Sequence, residues 1–334
     1  MKRLFFKILA YGFLILLLVE ALVRGLHLHK GTPERMIDEK GVEKWVPGQS
    51  GFVTTGNRRQ NFSEYRINDL GFNSYREFDP QTETYEVALI GDSFIEGFHQ
   101  DYYNSIGKKI ERRMPELAVY EFGYAGYDLA DELHLVQAYD ELFEKIDMVV
   151  VYLHYPDDLL RNRYWVSEER LKLQKGMYGL LQHSKLLVYL QNIGFLNSMT
   201  KQLVSWKHAI SGSSGGKEKS EGNKDQGLEH KTLENFKDLV GQPGLNHEKI
   251  VFLVDEQLLS EDLKNYLLTA GIPYIDYGKV LRQEKAPVTL IYDQHWNDLG
   301  RELVAKAIAA YLVNEQKPPI VQKQIPLNLH EEYQ

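Results

Sequence analysis

Short apolar runs at Val87–Ile90, Ala118–Phe122, Met148–Leu153, Ile250–Val254 and Tyr274–Tyr277 recur through the middle of the chain. Each is too short for a buried helix and is bounded by turn formers, so each reads as a strand covered on both faces. Helical spacing fills the intervals at Tyr103–Met114, Leu129–Lys145 and Ser260–Thr269, and Asp298–Leu312 closes the series. Strands alternating with helices predict a three-layer α/β/α domain with a mostly parallel sheet over residues 85–315. Ligands of such open sheets collect at the C-terminal strand ends, where Ser93, Gly126 and Asp157 all fall.

The rest of the chain departs from this rhythm. Lys2 and Arg3 precede an apolar stretch that contains the unbroken run Ile8–Val19, interrupted only near its ends by Lys7, Glu20 and Arg24. Residues 1–26 therefore read as a transmembrane helix acting as a signal anchor, its end charges reaching the headgroup region. A cleaved signal peptide competes through Val19-Glu20-Ala21, although the glutamate and the renewed apolar character at Leu22-Val23 disfavour it. The leading basic residues place the N-terminus inside and the remainder on the extracytoplasmic side. Residues 27–84 carry weak periodicity and turn formers such as Pro47-Gly48, predicting a stalk that packs onto the domain. Residues 163–207 are expected to be a helical insertion, 211–229 a flexible polar loop and 316–334 an irregular tail.

Composition narrows the function. With 43% apolar and 12% aromatic residues the 334-residue chain can fill a substantial core. A formal charge of −8 offers no basic face for phosphates, so nucleic acid is not an expected partner. The absence of cysteine excludes disulfides, thiolate metal sites and a cysteine nucleophile.

The chemistry concentrates in two short segments. The first strand ends abruptly in Gly91-Asp92-Ser93, and Asp293-Gln294-His295 precedes the last helical pattern. A serine hydroxyl becomes a nucleophile when a histidine takes its proton and a carboxylate fixes that histidine's tautomer. Ser93, His295 and Asp293 are the residues expected in those roles, with Asp298 capping the following helix. The Gly-x-Ser-x-Gly elbow of α/β-hydrolases is absent, since Ile95 takes its last position. Asp157-Asp158 reads as a solvated turn or helix cap. His99, His134 and His154 lack metal-ligand spacing and read as surface or core-edge residues. No metal or cofactor is expected. Asn61-Phe62-Ser63 fits a glycosylation acceptor, and Gly212–Lys217 resembles a phosphate loop only superficially.

Taken together these blocks resemble those of the GDSL or SGNH hydrolases. Gly91-Asp92-Ser93 with Gly97 is similar to the family's first block, Tyr120–Gly126 to its second, Tyr155–Leu159 to its third and Asp293-Gln294-His295 to its last. The resemblance implies Ser93 as nucleophile, His295 as base, Asp293 as its orienter and Gly126 as an oxyanion donor beside the Ser93 N–H. It also implies ester hydrolysis of an acylated small molecule or glycan. The stretch Ile67–Phe72 resembles membrane-tethered members that act on cell-envelope polysaccharide, which implies a polysaccharide-modification or export machinery as a possible partner. Two departures stand out. The ending Asp-x-His-Trp resembles that of alginate-type O-acetyltransferases, so hydrolysis and transfer are both open. The third block's oxyanion asparagine is matched by Asp157, whose carboxylate would repel the charge it should stabilise, and losing one such donor costs about 3 kcal/mol. A protonated or turned-away Asp157, a shifted neighbour such as Asn162, or an inactive SGNH fold serving as a glycan-binding or assembly protein are the alternatives this raises.

Overall fold

The computed structural model describes residues 2–55, 60–80, 84–167, 170–171, 183–195 and 225–315. After the N-terminal helix Lys2–Gly25 come two antiparallel ribbons: β1 (Arg35–Ile37) with β2 (Glu43–Trp45), and β3 (Ser50–Thr55) with β4 (Asn61–Arg66). The domain proper is a five-stranded sheet of β5 (Tyr85–Gly91), β6 (Leu117–Gly123), β7 (Met148–Leu153), β8 (Ile250–Val254) and β9 (Tyr274–Asp276), in the order β6-β5-β7-β8-β9. Every neighbouring pair in it is parallel, with Ile90 opposite both Phe122 and Val151.

Strand alternation divides the core in two. Ala88 and Ile90 face a cluster with Phe122, Val151 and Phe252, covered by the helices Leu129–Ala138, Asp225–Val240 and Glu261–Thr269. Val87 and Leu89 face the opposite cluster with Val119, Val150 and Leu253, covered by Ile106–Arg113 and Asp298–Glu315. A strand buried on both faces needs apolar residues at every position, which is why these runs are continuous rather than alternating.

The chain leaves β5 for β6 on one side and later returns to β7 on the other. That reversal opens a crevice at the C-terminal end of β5, the place where such sheets bind ligands. The described residues of the segment 27–84 pack against the domain. Trp45, Val53, Ile67 and Phe72 are each at most 1% exposed and join the first core cluster.

Of the insertion 163–207, the helix Lys185–Asn192 is described. Its N-terminus meets Glu20 of the long N-terminal helix Lys2–Gly25, whose Oε1 accepts from Lys185 N (2.9 Å) and Oε2 from Leu186 N (2.8 Å). Residues 211–224 and 316–334 lie outside the described residues, but from Asp225 the chain is helical to Val240. This helix takes in residues 225–229, the end of the segment expected to be a flexible loop over 211–229. Leu233, Phe236, Leu239 and Val240, spaced for one helix face, bury that helix against the sheet and overcome its polar, glycine-containing start.

Candidate active site

The first segment of the site is a single helical turn. Beyond Gly91, Asp92 accepts the Phe94 N–H on Oδ1 (2.8 Å) and the Glu96 N–H on its main-chain oxygen (2.9 Å), closing the turn Ser93–Glu96. Gly97 ends it with φ of 71°. The turn packs so tightly on β6 that a Cβ at Gly123 would lie 2.0 Å from the Glu96 nitrogen, so only glycine fits there. Ser93 is therefore held at the mouth of the crevice by backbone geometry.

Glu96 ties three segments to this turn. Its buried Oε1 accepts from Trp45 Nε1 (2.8 Å) and from Ala125 N (3.1 Å), while its main-chain oxygen accepts from Asn73 Nδ2 (2.8 Å). The early ribbon and the Ile67–Phe72 turn are thereby fastened to the Ser93 turn and to the loop after β6. Burial pushes the Glu96 carboxyl up to about 7, against the lowering effect of the hydrogen bonds it accepts.

The second segment arrives from the other side of the sheet. Trp296 is buried and packs against Phe94, Tyr152 and Tyr277, and its main-chain oxygen accepts from Arg301 Nη1. Asn297, rather than Asp298, supplies the cap: its Oδ1 accepts from Gly300 N (2.9 Å), while Asp298 is exposed and paired with Lys109 (2.9 Å). The swap follows from the helix beginning at Asp298 itself, which leaves residue 297 in the capping position.

Pinned by Trp296, His295 projects toward Ser93. Its Nε2 lies 2.7 Å from Ser93 Oγ, and its Nδ1 is hydrogen-bonded to Asp293 Oδ1, which also accepts the His295 N–H (2.7 Å). Burial alone would raise the Asp293 carboxyl, but these bonds hold it below the ordinary carboxylate range. An ionised Asp293 places the ring proton on Nδ1 and leaves Nε2 free to accept from the serine hydroxyl.

Two backbone N–H groups near Ser93 are left without partners. The N–H of Ser93 and the N–H of Gly126 meet no acceptor among the described residues. Gly126 is exposed and has φ of +95°, a conformation that favours glycine.

The third block is arranged differently. Asp157 is exposed, with no hydrogen bond or ion pair among the described residues. Its neighbour Asp158 is buried and accepts the His154 N–H on Oδ2 (2.6 Å). Asn162 donates to Asp238 (2.8 Å) at an exposed position and is not free to replace an oxyanion donor. Beneath the crevice Asp92, Asp158 and Glu132 are all buried. Burial, together with their mutual repulsion for Asp158 and Glu132, raises all three carboxyls.

Sequence reasoning missed His99, which the fold brings against His295 and Asp293. Its ring stacks on that of His295 (centroids 4.0 Å, 23° between planes), and its Nε2 lies 3.3 Å from Asp293 Oδ2. No local spacing signals this, because its partners come from the far end of the chain. Donor atoms of His99, Asp293 and His295 lie within 4.8 Å of one another, close enough to hold a metal ion. The two rings are nearly parallel, however, so their in-plane lone pairs run side by side rather than converging on one point. His134 is elsewhere, stacked on Tyr164 (3.7 Å). Asn61 uses its amide internally, donating to the His99 main-chain oxygen (2.6 Å).

Solved structures of lipolytic proteins and of an acetylxylan esterase resemble this chain. A lipase/acylhydrolase from Enterococcus faecalis is 15% identical, with 72% of this chain and 99% of that one covered and a TM-score of 0.41. A member of the lipolytic G-D-S-L family from Veillonella parvula is 11% identical (69% and 98% covered, TM-score 0.36). A catalytic mutant of an acetylxylan esterase from Geobacillus stearothermophilus is 13% identical (70% and 95% covered, TM-score 0.34). No family model matches the chain, and no curated protein matches it in sequence. Likeness this distant carries no argument about activity, which must come from the site itself.

Proposed function

We propose that the protein is a serine ester hydrolase working through an acyl-serine intermediate. The observation that carries this is the continuous chain Ser93 Oγ, His295 Nε2, His295 Nδ1, Asp293 Oδ1 at the switch point of the sheet. In the first step Ser93 Oγ attacks the ester carbonyl carbon while its proton passes to His295 Nε2. The carbonyl oxygen takes up negative charge and is met by the N–H groups of Ser93 and Gly126. As the tetrahedral intermediate collapses, the ester C–O bond breaks and the departing alkoxide receives the proton from His295. Water then repeats the sequence on the acyl-serine, losing its proton to His295 and releasing the carboxylic acid and free Ser93.

The proposed substrates are small acyl esters, acetyl groups on an envelope glycan above all. The apolar helix Lys2–Gly25 is long enough to cross a membrane, and on this reading it anchors the enzyme with the catalytic domain outside the cytoplasm.

The test is hydrolysis of p-nitrophenyl acetate by the full chain in detergent. Nitrophenol release that Ser93→Ala abolishes supports the reading. Release that survives the substitution removes Ser93 from the mechanism. Adding oligosaccharide acceptors and searching for acylated sugar by mass spectrometry separates transfer from hydrolysis.

A further inference from the structure

The end of the long N-terminal helix is fastened to two later segments. Glu20 Oε1 accepts from Lys185 N (2.9 Å), and its Oε2 accepts from Leu186 N (2.8 Å) and Ser184 Oγ (3.1 Å). A carboxylate there satisfies N–H groups that the first turn of Lys185–Asn192 leaves without intrahelical partners, and it suits that end of the helix dipole. Arg24 pairs with Glu20 (2.6 Å), and its Nη2 donates to the His183 main-chain oxygen. Just past the long helix, the His27 main-chain oxygen accepts from Thr54 Oγ1 (2.9 Å), and its ring packs on Phe52 and Phe62 of the β3–β4 ribbon (5.1 and 5.9 Å). The helix thus runs into the domain without a free tether.

Around both junctions apolar side chains face outward. The helix Lys185–Asn192 buries none of its residues, and none belongs to either core cluster. Leu186, Leu190 and Ile193 nonetheless keep the i, i+4, i+7 spacing of one apolar face. Ile193, Phe195 and Phe52 are exposed, as are Leu22 and Leu26 at the end of the long helix. Apolar side chains gathered in this way mark an interaction surface rather than scattered exposure.

We propose that this surface lies on the outer leaflet of the membrane, with Lys185–Asn192 and the side chains of Phe52, Ile193 and Phe195 at the boundary between headgroups and acyl chains. The proposal depends on the anchor reading of Lys2–Gly25 above, and it adds a peripheral contact that an anchor alone does not require. Height selects lipid as the occupant. From Lys2 to Glu20 the helix rises about 27 Å at 1.5 Å per residue, against a hydrocarbon core of about 30 Å. With Lys2 and Arg3 among the inner headgroups, Glu20 falls at the outer edge of the hydrocarbon, and the turn it holds lies at that level. There an apolar face is covered by acyl chains while Lys185, Gln191 and Asn192 reach the headgroups. The β3–β4 ribbon also touches the candidate site, through Thr55 Oγ1 and Tyr292 OH (3.1 Å) and through Asn61 Nδ2 on the His99 main-chain oxygen (2.6 Å). The crevice end of the domain is then the end beside the bilayer, and esters held at the membrane surface come within its reach.

The chain has no cysteine, so one introduced thiol reports from one position. The experiment attaches a bimane fluorophore to Ile15→Cys, Phe52→Cys, Ile193→Cys and Leu268→Cys variants of the full chain in phosphatidylcholine nanodiscs, with and without bromine on the acyl chains. All four positions are exposed. Ile15 lies within the anchor, and Leu268 lies on the helix Glu261–Thr269 that leads into the N-terminal end of β9, away from the crevice. Brominated lipid is expected to quench the probe at 15 most, and those at 52 and 193 about two- to fivefold more than the one at 268. A probe at 52 or 193 quenched no more than the one at 268 would overturn the proposal. Probes there that are shielded from both brominated lipid and aqueous iodide would put protein on the surface instead, and would overturn it equally. If the probe at 15 escapes quenching, the anchor reading itself fails. Quenching at 15 without quenching at 52 and 193 sinks this inference alone.

Discussion

The candidate site has two corners built to different standards. At one corner Ser93, His295 and Asp293 form a continuous hydrogen-bonded chain, with the His99 ring stacked on the imidazole of His295. At the corner formed by the loops after β6 and β7, the Gly126 N–H has no acceptor among the described residues, Asp157 stands out in solvent and Asp158 is occupied by the His154 N–H. The difference teaches where charge stabilisation must come from. On the proposed mechanism, a site with an outward-turned Asp157 would rely on the N–H groups of Ser93 and Gly126, and those backbone positions would carry a burden that a side-chain amide would otherwise share.

Substitutions can break this comparison at either corner. Ser93→Ala should lower kcat/KM by about four to six orders of magnitude, because serine and base act as one unit. Asp293→Asn should cost about 10⁴-fold by stabilising the wrong tautomer of His295, again read as esterase kcat. At the other corner Gly126→Ala places a Cβ on a residue with φ of +95°. The strain, about 1–3 kcal/mol, should displace the donor N–H and lower kcat roughly ten- to hundredfold with KM nearly intact. Asp157→Asn sharpens the contrast most. With the side chain in solvent, kcat is expected to change by less than about threefold, whereas a rise approaching 10²-fold would mean residue 157 faces the oxyanion after all.

The smallest effect concerns stability. Glu96 binds its proton more tightly in the folded chain, at about 7 against an ordinary 4.5. Its contribution is therefore complete below about pH 4.5 and is lost as the pH rises through about 7. Thermal or denaturant unfolding should show stability falling by on the order of 2 kcal/mol between about pH 5 and 8. Glu96→Gln, which keeps the acceptor for Trp45 and Ala125, should flatten that fall. An unchanged slope would mean the carboxyl is not the buried pivot described.

Much of the sheet was legible because a strand buried on both faces leaves an unbroken apolar run, and β5, β7 and β8 all show one. Ser93, Asp293 and His295 were legible for a different reason: each sits at a sharp change of pattern, a strand ending in Gly91-Asp92 or a turn before a helix. What stayed hidden depends on contacts between distant segments. His99 follows an ordinary Gly97-Phe98 pair and acquires meaning only when Asp293 folds against it. Glu96 looks like a helix-surface glutamate, yet the close approach at Gly123 buries it and Trp45 and Ala125 converge on it. The direction in which Asp157 points is likewise set by the turn it occupies, and no residue type announces it.

The central claim is that Ser93 is made nucleophilic by His295. Its most direct test is mass spectrometry of the Ser93 peptide after exposure of the full chain to a fluorophosphonate. The account predicts a covalent adduct on Ser93 in the wild type and its loss in His295→Ala. An adduct on another residue, or one on Ser93 that forms equally fast without the imidazole, would contradict it.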